Sequence, residues 1–236
     1  MKKKLVFLHG WINKYIINRE ENIFDFYKEL VNCLKEKFDV EFIILPGFSS
    51  NKELERPFTL DDYVEYVKKY LEEKGIDKFY LMGHSFGGQI ACKFTYLYPE
   101  KVEKLIIYNG ACVRKKSLIQ KILSIFKPLG KTLFTLSPFC KKVFYKIFTG
   151  STDYLKLPPI MQKTMQNVIS EDLTPILPEI KTETILIWGK KDKITPLKNA
   201  YIINKLIKNS KLIICPQGGH SFHKTYPQFI ADNILI

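Results

Sequence analysis

The chain has 236 residues, 46% of them apolar, and a formal net charge of +13. That length suits one domain with an insertion, or two small domains, and it can bury a core without needing disulfides or a structural metal. No stretch approaches the roughly 18 consecutive apolar residues of a membrane span, which excludes an integral helical membrane protein.

Taken in chain order, short apolar runs alternate with amphipathic segments. KKKLVFLHG predicts a strand ending in a loop. Ile23, Phe26, Tyr27, Leu30 and Leu34 have helical spacing. DVEFIILPG reads as a second strand, and its continuous apolar run predicts cover on both faces. FTLDDYVEYVKKYLEEKG predicts a helix with Thr59 as cap and Asp62 three residues on. Val64, Val67 and Leu71 share one face, and Gly75 provides a left-handed stop. KFYLMGHS is a strand running directly into a helix from Phe86 to about Tyr98, which Pro99 ends. EKLIIYNGA, TETILIWGKKD and SKLIICPQGG supply three more strands, with helical patterns at about 197–208 and 224–235.

Strand–helix alternation of this kind implies an α/β fold: a mostly parallel sheet of about six strands with helices on both faces. The window 113–178 breaks the alternation. Leu118, Ile119, Ile122 and Phe126, then Leu129, Leu133, Val143, Phe144 and Ile147, read as helix faces interrupted by Pro128, Pro138, Pro158 and Pro159. The expected organisation is a core of residues 1–112 and 179–236 with a helical cap inserted at 113–178.

Cys33, Cys92, Cys112, Cys140 and Cys215 are odd in number and widely spaced, and none forms a CxxC pair. They read as free, mostly buried thiols in a reducing compartment. The opening MKKKLVFLHGW has the basic start of a signal peptide, but its apolar run stops at His9 and no small-residue cleavage site follows. A cytoplasmic protein is expected. Residues 111–150 carry nine Lys/Arg and no Asp or Glu. Such a window can meet an anionic substrate, a membrane surface or nucleic acid; its plainer reading is a set of solvated helix faces. No nucleic-acid recognition motif accompanies it, so no nucleic-acid partner is expected.

The strongest chemical signal is Gly83-His84-Ser85-Phe86-Gly87 with Gly88 behind it, set between a strand and a helix. A sharp strand-to-helix turn strains the serine backbone and pushes its hydroxyl out above the carboxyl ends of the strands. A serine hydroxyl needs a base to become a nucleophile. His220 follows Gly218-Gly219 in the loop after the last strand and can reach Ser85. His223 reads as a surface residue flanking the final helix, and His9 as an anchor for the loop after the first strand. His220 and His223 lack a nearby third ligand, so no metal is expected. Asp192, just after the strand TETILIWG, lies on the same sheet edge and can orient the histidine. The order Ser85, Asp192, His220 is that of the nucleophile-elbow hydrolases. Two backbone amides, those of Phe86 and Trp11, are the expected oxyanion donors.

The motifs FLHGW, LPGF, GHSFGG, WGKKDKITP and GGH, in that order, resemble those of the α/β-hydrolase superfamily, in particular its small capped esterase and C–C-hydrolase-like members. The resemblance covers about 1–112 and 180–236. It implies that Ser85, Asp192 and His220 form a triad and that no cofactor is used. Three departures stand out. The segment INKYIINREEN is long and polar where relatives have a short Gly-rich turn, Ser49 follows LPGF in place of glycine, and the antiparallel edge strands that often precede the first motif are not expected. The leading reading is hydrolysis of a small, apolar or anionic carboxylic ester or thioester through an acyl-enzyme. The alternatives are C–C bond hydrolysis of a β-diketone-like acid, a non-catalytic ligand-binding member of the fold, and a lipid esterase that meets membranes through its basic cap.

Overall fold

The structure, a computed structural model, describes residues 2–12, 23–49, 53–114 and 157–235. Six strands form one sheet: β1 (Lys3–Leu8), β2 (Phe38–Ile43), β3 (Phe79–His84), β4 (Val102–Tyr108), β5 (Thr184–Gly189) and β6 (Ser210–Cys215). Their order is β2-β1-β3-β4-β5-β6, and every pairing is parallel. All six carboxyl ends therefore point to one edge, where the loops collect. The helices are α1 (Ile23–Lys37), α2 (Leu60–Glu73), α3 (Phe86–Leu97), α4 (Pro159–Ser170), α5 (Leu197–Leu206) and α6 (Pro227–Asp232). They cover both faces of the sheet, with α1 packed beside α6 and α2 beside α3.

Burial follows strand position. Leu5, Val6, Phe7 and Leu8 of β1 are fully buried, as expected for an interior strand with helices on both sides. The sequence expectation for DVEFIILPG needs correction. β2 is an edge strand, and Val40, Glu41 and Phe42 are only partly covered. Its outer flank is met by Tyr70 and Lys74, which both donate to Glu41. The helix punctuation is as read. Thr59 accepts the Asp62 amide while the Asp62 carboxylate accepts the Thr59 amide, and Gly75 has φ +66°.

Of the window 113–178, residues 115–156 lie outside the described residues, and with them most of the expected cap helices, Cys140 and most of the basic window. The described remainder holds one α-helix, α4, and the start of a short 3-10 turn at Leu177, joined by irregular segments. Pro158 and Pro159 start α4 instead of interrupting a helix, since proline is accommodated in a first turn. The helix is tied down by Asn167, which donates to the Phe58 carbonyl, and by the Phe58 amide, which donates to Thr164. Gln89 of α3, fully buried, donates to the Val168 and Glu171 carbonyls. The four described cysteines are free, and three of them are buried. Among the described residues, no helix is long and apolar enough to cross a membrane.

Candidate active site

The turn from β3 to α3 carries Ser85 with φ 52° and ψ −111°, a conformation that costs an L-residue about 1–3 kcal/mol and is found mostly at functional sites. Two close approaches explain the flanking glycines. A Cβ on Gly83 would lie 2.2 Å from the Gly87 carbonyl oxygen, and one on Gly87 would lie 2.2 Å from the Leu8 carbonyl oxygen. A side chain at Gly83 would push the first turn of α3 away from β3, and one at Gly87 would push it off the end of β1. The Ser85 amide donates to the Tyr108 carbonyl, and the Ser85 carbonyl accepts from the Gln89 and Ala111 amides. The strained residue is thus held on both sides.

Three loops bring the sequence-predicted side chains together at this turn. Ser85 Oγ lies 3.0 Å from His220 Nε2, and His220 Nδ1 lies 2.8 Å from Asp192 Oδ2. With Nδ1–H donating to the carboxylate, Nε2 is left as an acceptor for the serine hydroxyl. The Asp192 side chain is fully buried and that of His220 is 14% exposed. Asp192 is surrounded by donors. Its Oδ1 accepts the Ile194 and Thr195 amides at 2.8 and 2.9 Å. The Thr195 hydroxyl lies 2.7 Å from Oδ2 and 3.0 Å from the Asn109 carbonyl, so its single proton is shared between them. This is the environment of a carboxylate held in one orientation.

The amides named as oxyanion donors belong to segments beside Ser85. Phe86 is the first residue of α3, so its N–H has no intrahelical acceptor and points out of the helix end. In the loop after β1, the Gly10 amide donates to Tyr27 Oη at 2.8 Å. The Gly10 amide is thereby committed to Tyr27, and Trp11 is the next residue of the loop. The Trp11 ring packs edge-on to Phe48 and Phe86 at 4.9 and 5.3 Å, and Tyr63 meets Phe86 at 5.0 Å.

The remaining histidines are buried. His9 Nδ1–H donates to the Gly10 carbonyl and Nε2 accepts the Leu45 amide, which makes it the loop anchor expected from the sequence. Burial pulls its pKa down to about 4. His223 corrects the expectation of a surface residue. It is 1% exposed, stacks on Tyr27 at 4.6 Å, and its amide donates to Tyr108 Oη. The short turn Phe222–Lys224 folds it inward between α1 and the sheet edge, and burial pulls its pKa down to about 3.

Sequence reasoning missed the residues that hold the loops. Asn109, fully buried with φ 45°, donates from Nδ2 to the Gly219 and His220 carbonyls and accepts the Gly189 amide on Oδ1. One side chain at the end of β4 thus pins both the Asp192 and the His220 loops. The pair Asn109-Gly110 at a strand end was a visible turn signal. Thr195, three residues after Asp192, was legible as an Asx-type turn. Tyr27 carried no local signal, because its partner His84 lies 57 residues away.

A family profile for the alpha/beta hydrolase fold matches residues 3–127, and the chain belongs to that family. Among similar proteins is a pimeloyl-[acyl-carrier protein] methyl ester esterase of Wigglesworthia glossinidia brevipalpis, 28% identical over 94% of this chain and 88% of the relative. Another is a 2-hydroxy-6-oxononadienedioate/2-hydroxy-6-oxononatrienedioate hydrolase of Pseudomonas putida, 26% identical over 93% of this chain and 82% of the relative. A solved hydrolase from Pseudomonas aeruginosa superposes with a TM-score of 0.72 at 17% identity, covering 99% of this chain and 89% of the other. That level of identity establishes the shared fold.

Proposed function

We propose that the protein is a serine hydrolase of small carboxylic esters or thioesters, with Ser85 as nucleophile, His220 as general base and acid, and Asp192 as the group that orients the histidine. The observation that carries this is the unbroken line from Ser85 Oγ through His220 to Asp192, at 3.0 and 2.8 Å. In the acylation step Ser85 Oγ bonds to the acyl carbon while its proton passes to His220 Nε2. The carbonyl oxygen becomes an oxyanion, which the Phe86 and Trp11 amides receive. Collapse expels the alcohol or thiol, which takes the proton back from His220, and water then repeats the sequence on the acyl-enzyme. The ring cluster of Trp11, Phe48 and Phe86 beside the serine supports an apolar acyl group. The similarity to a methyl ester esterase agrees with this reading.

The similarity to the Pseudomonas putida hydrolase supports a second reading, C–C bond hydrolysis of a β-diketone-like acid on the same groups. The same proposal includes residues 113–178 as a cap over the site and a cytoplasmic location, the latter supported by the free thiols. The test is direct. A fluorophosphonate probe is expected to label Ser85, and Ser85→Ala to abolish both labelling and p-nitrophenyl ester turnover. Full turnover in Ser85→Ala would remove the reading. Comparing short-chain esters with vinylogous diketone acids separates the two substrate classes.

A further inference from the structure

The mechanism leaves three of the four histidines without a role, and one of them, His84, lies inside the elbow itself. Both of its ring nitrogens are engaged. Nδ1 is 2.6 Å from Tyr27 Oη, and Nε2 is 2.9 Å from the His220 carbonyl oxygen. Tyr27 Oη in turn receives the Gly10 amide at 2.8 Å. The direction of this chain is fixed from both ends, because a backbone N–H only donates and a backbone carbonyl only accepts. Gly10 therefore donates to the Tyr27 oxygen, the Tyr27 proton goes to His84 Nδ1, and His84 Nε2 carries the proton that meets His220. One neutral tautomer of His84 satisfies every link. Tyr27 is fully buried and His84 is 2% exposed, so water does not compete for these bonds.

The two ends of the chain explain what it is for. Gly10 directly precedes Trp11, whose amide is the proposed oxyanion donor, and His220 is the proposed base. The loops that carry them follow β1 and β6, which are separated by three other strands in the sheet. Strand pairing therefore does not set their spacing directly. The loop after β1 sits hard against the elbow, since a Cβ on Gly10 would lie 2.9 Å from His84 Nδ1 and 3.3 Å from Ser85 Cβ. The His220 carbonyl also receives Asn109 Nδ2–H at 2.7 Å and Tyr108 O–H at 3.3 Å. His84 is the donor that continues to the oxyanion loop. The titratable groups facing its ring are Tyr27 from α1, Tyr108 from β4, and His220 and His223 from the last loop, with His9 of the loop after β1 close enough to act on its charge. Burial, with His220 and His223 alongside, keeps His84 well below the ordinary histidine range.

We infer that Tyr27 and His84 are positioning residues, forming a directional hydrogen-bond relay from the Gly10 amide to the His220 carbonyl that sets the distance between the oxyanion donor and the base. The inference rests on the serine-hydrolase reading and adds to it a specific pair of residues. It is tested by measuring kcat, KM and the acid limb of the kcat/KM profile for Tyr27→Phe, His84→Phe and His84→Gln, with thermal unfolding as the check on folding. Glutamine keeps an N–H at nearly the reach of Nε2, whereas phenylalanine keeps only the ring. A misplacement of about 1 Å lowers kcat by on the order of 10–100-fold, so Tyr27→Phe and His84→Phe are expected to fall in that range with KM nearly unchanged. The acid limb is expected to move with them, and His84→Gln to recover part of the loss. A folded Tyr27→Phe that keeps wild-type kcat and the same acid limb overturns the relay. So does a loss of activity with an unmoved acid limb that His84→Gln fails to recover, which marks a purely structural role. If His84→Phe does not fold, Tyr27→Phe and His84→Gln decide. Failure of the underlying reading is distinguishable, because it appears as turnover retained in Ser85→Ala.

Discussion

At the amino ends of the strands, Lys3 pairs with Glu103, Lys4 with Asp39 and Lys104 with Glu183. At the carboxyl ends, the side chains of Asn109, Thr195, His84 and Tyr108 donate to backbone carbonyls at 2.7–3.3 Å. Both edges are polar, yet the two sets differ in exposure. In each ion pair one partner is at least 49% exposed, and the members of the second set are buried. Exposed pairs exchange protein contacts for water at little cost. A buried donor or acceptor left unpaired costs about 1–3 kcal/mol. The carboxyl edge can therefore specify loop positions, and the amino edge cannot.

The comparison can be broken in four ways. The largest effect is expected for Asp192→Asn. It removes the carboxylate that sets the His220 tautomer while leaving the volume, and kcat for a p-nitrophenyl ester is expected to fall roughly 10³–10⁴-fold. A loss below ten-fold would remove Asp192 from the mechanism.

Acidification comes next. His9 has a folded pKa of about 4 and His223 of about 3, both depressed by burial, against about 6.5 in the unfolded chain. Between those values the unfolded state binds more protons, so stability is present above pH ~6.5 and is lost as pH falls toward 4. For His9 alone the full loss is about 3 kcal/mol. The midpoint of urea unfolding should stay level from pH 7.5 to about 6.5 and then drop steadily to pH 4.5. A flat midpoint would show that these rings are not held neutral.

Asn109→Ala is expected to cost about 2–3 kcal/mol, since it orphans the buried Gly189 amide and strains an L-residue at positive φ. Asn109→Gly isolates the hydrogen-bond part by relieving the backbone. Equal stability of the two variants would assign the whole loss to the missing bonds. Lys3→Ala, at the opposite edge, should leave the unfolding midpoint unchanged within error. A clear shift there would erase the distinction between the edges.

Much of this arrangement was legible in the chain. The strand–elbow–helix context of Ser85, the position of Asp192 after an apolar strand and the glycine pair before His220 are local signals. Each depends on neighbours within a few residues. The edge status of β2 was not legible, because an apolar run reports hydrophobicity and not which neighbour a strand acquires. His223 was misread for the same reason, since a single turn decides whether it faces solvent or Tyr27.

The sequence by itself determined the order of strands and helices along the chain, the strained serine turn and which three side chains meet there, because those follow from periodicity, turn chemistry and motif context. Only the tertiary structure decided how the loops are held: Asn109 spanning the Asp192 and His220 loops, and Tyr27 with His84 joining the loop after β1 to the loop after β6. These bonds join residues far apart in the chain. Their partners are chosen by which buried donors and acceptors happen to meet once the sheet has formed, and no local pattern encodes that.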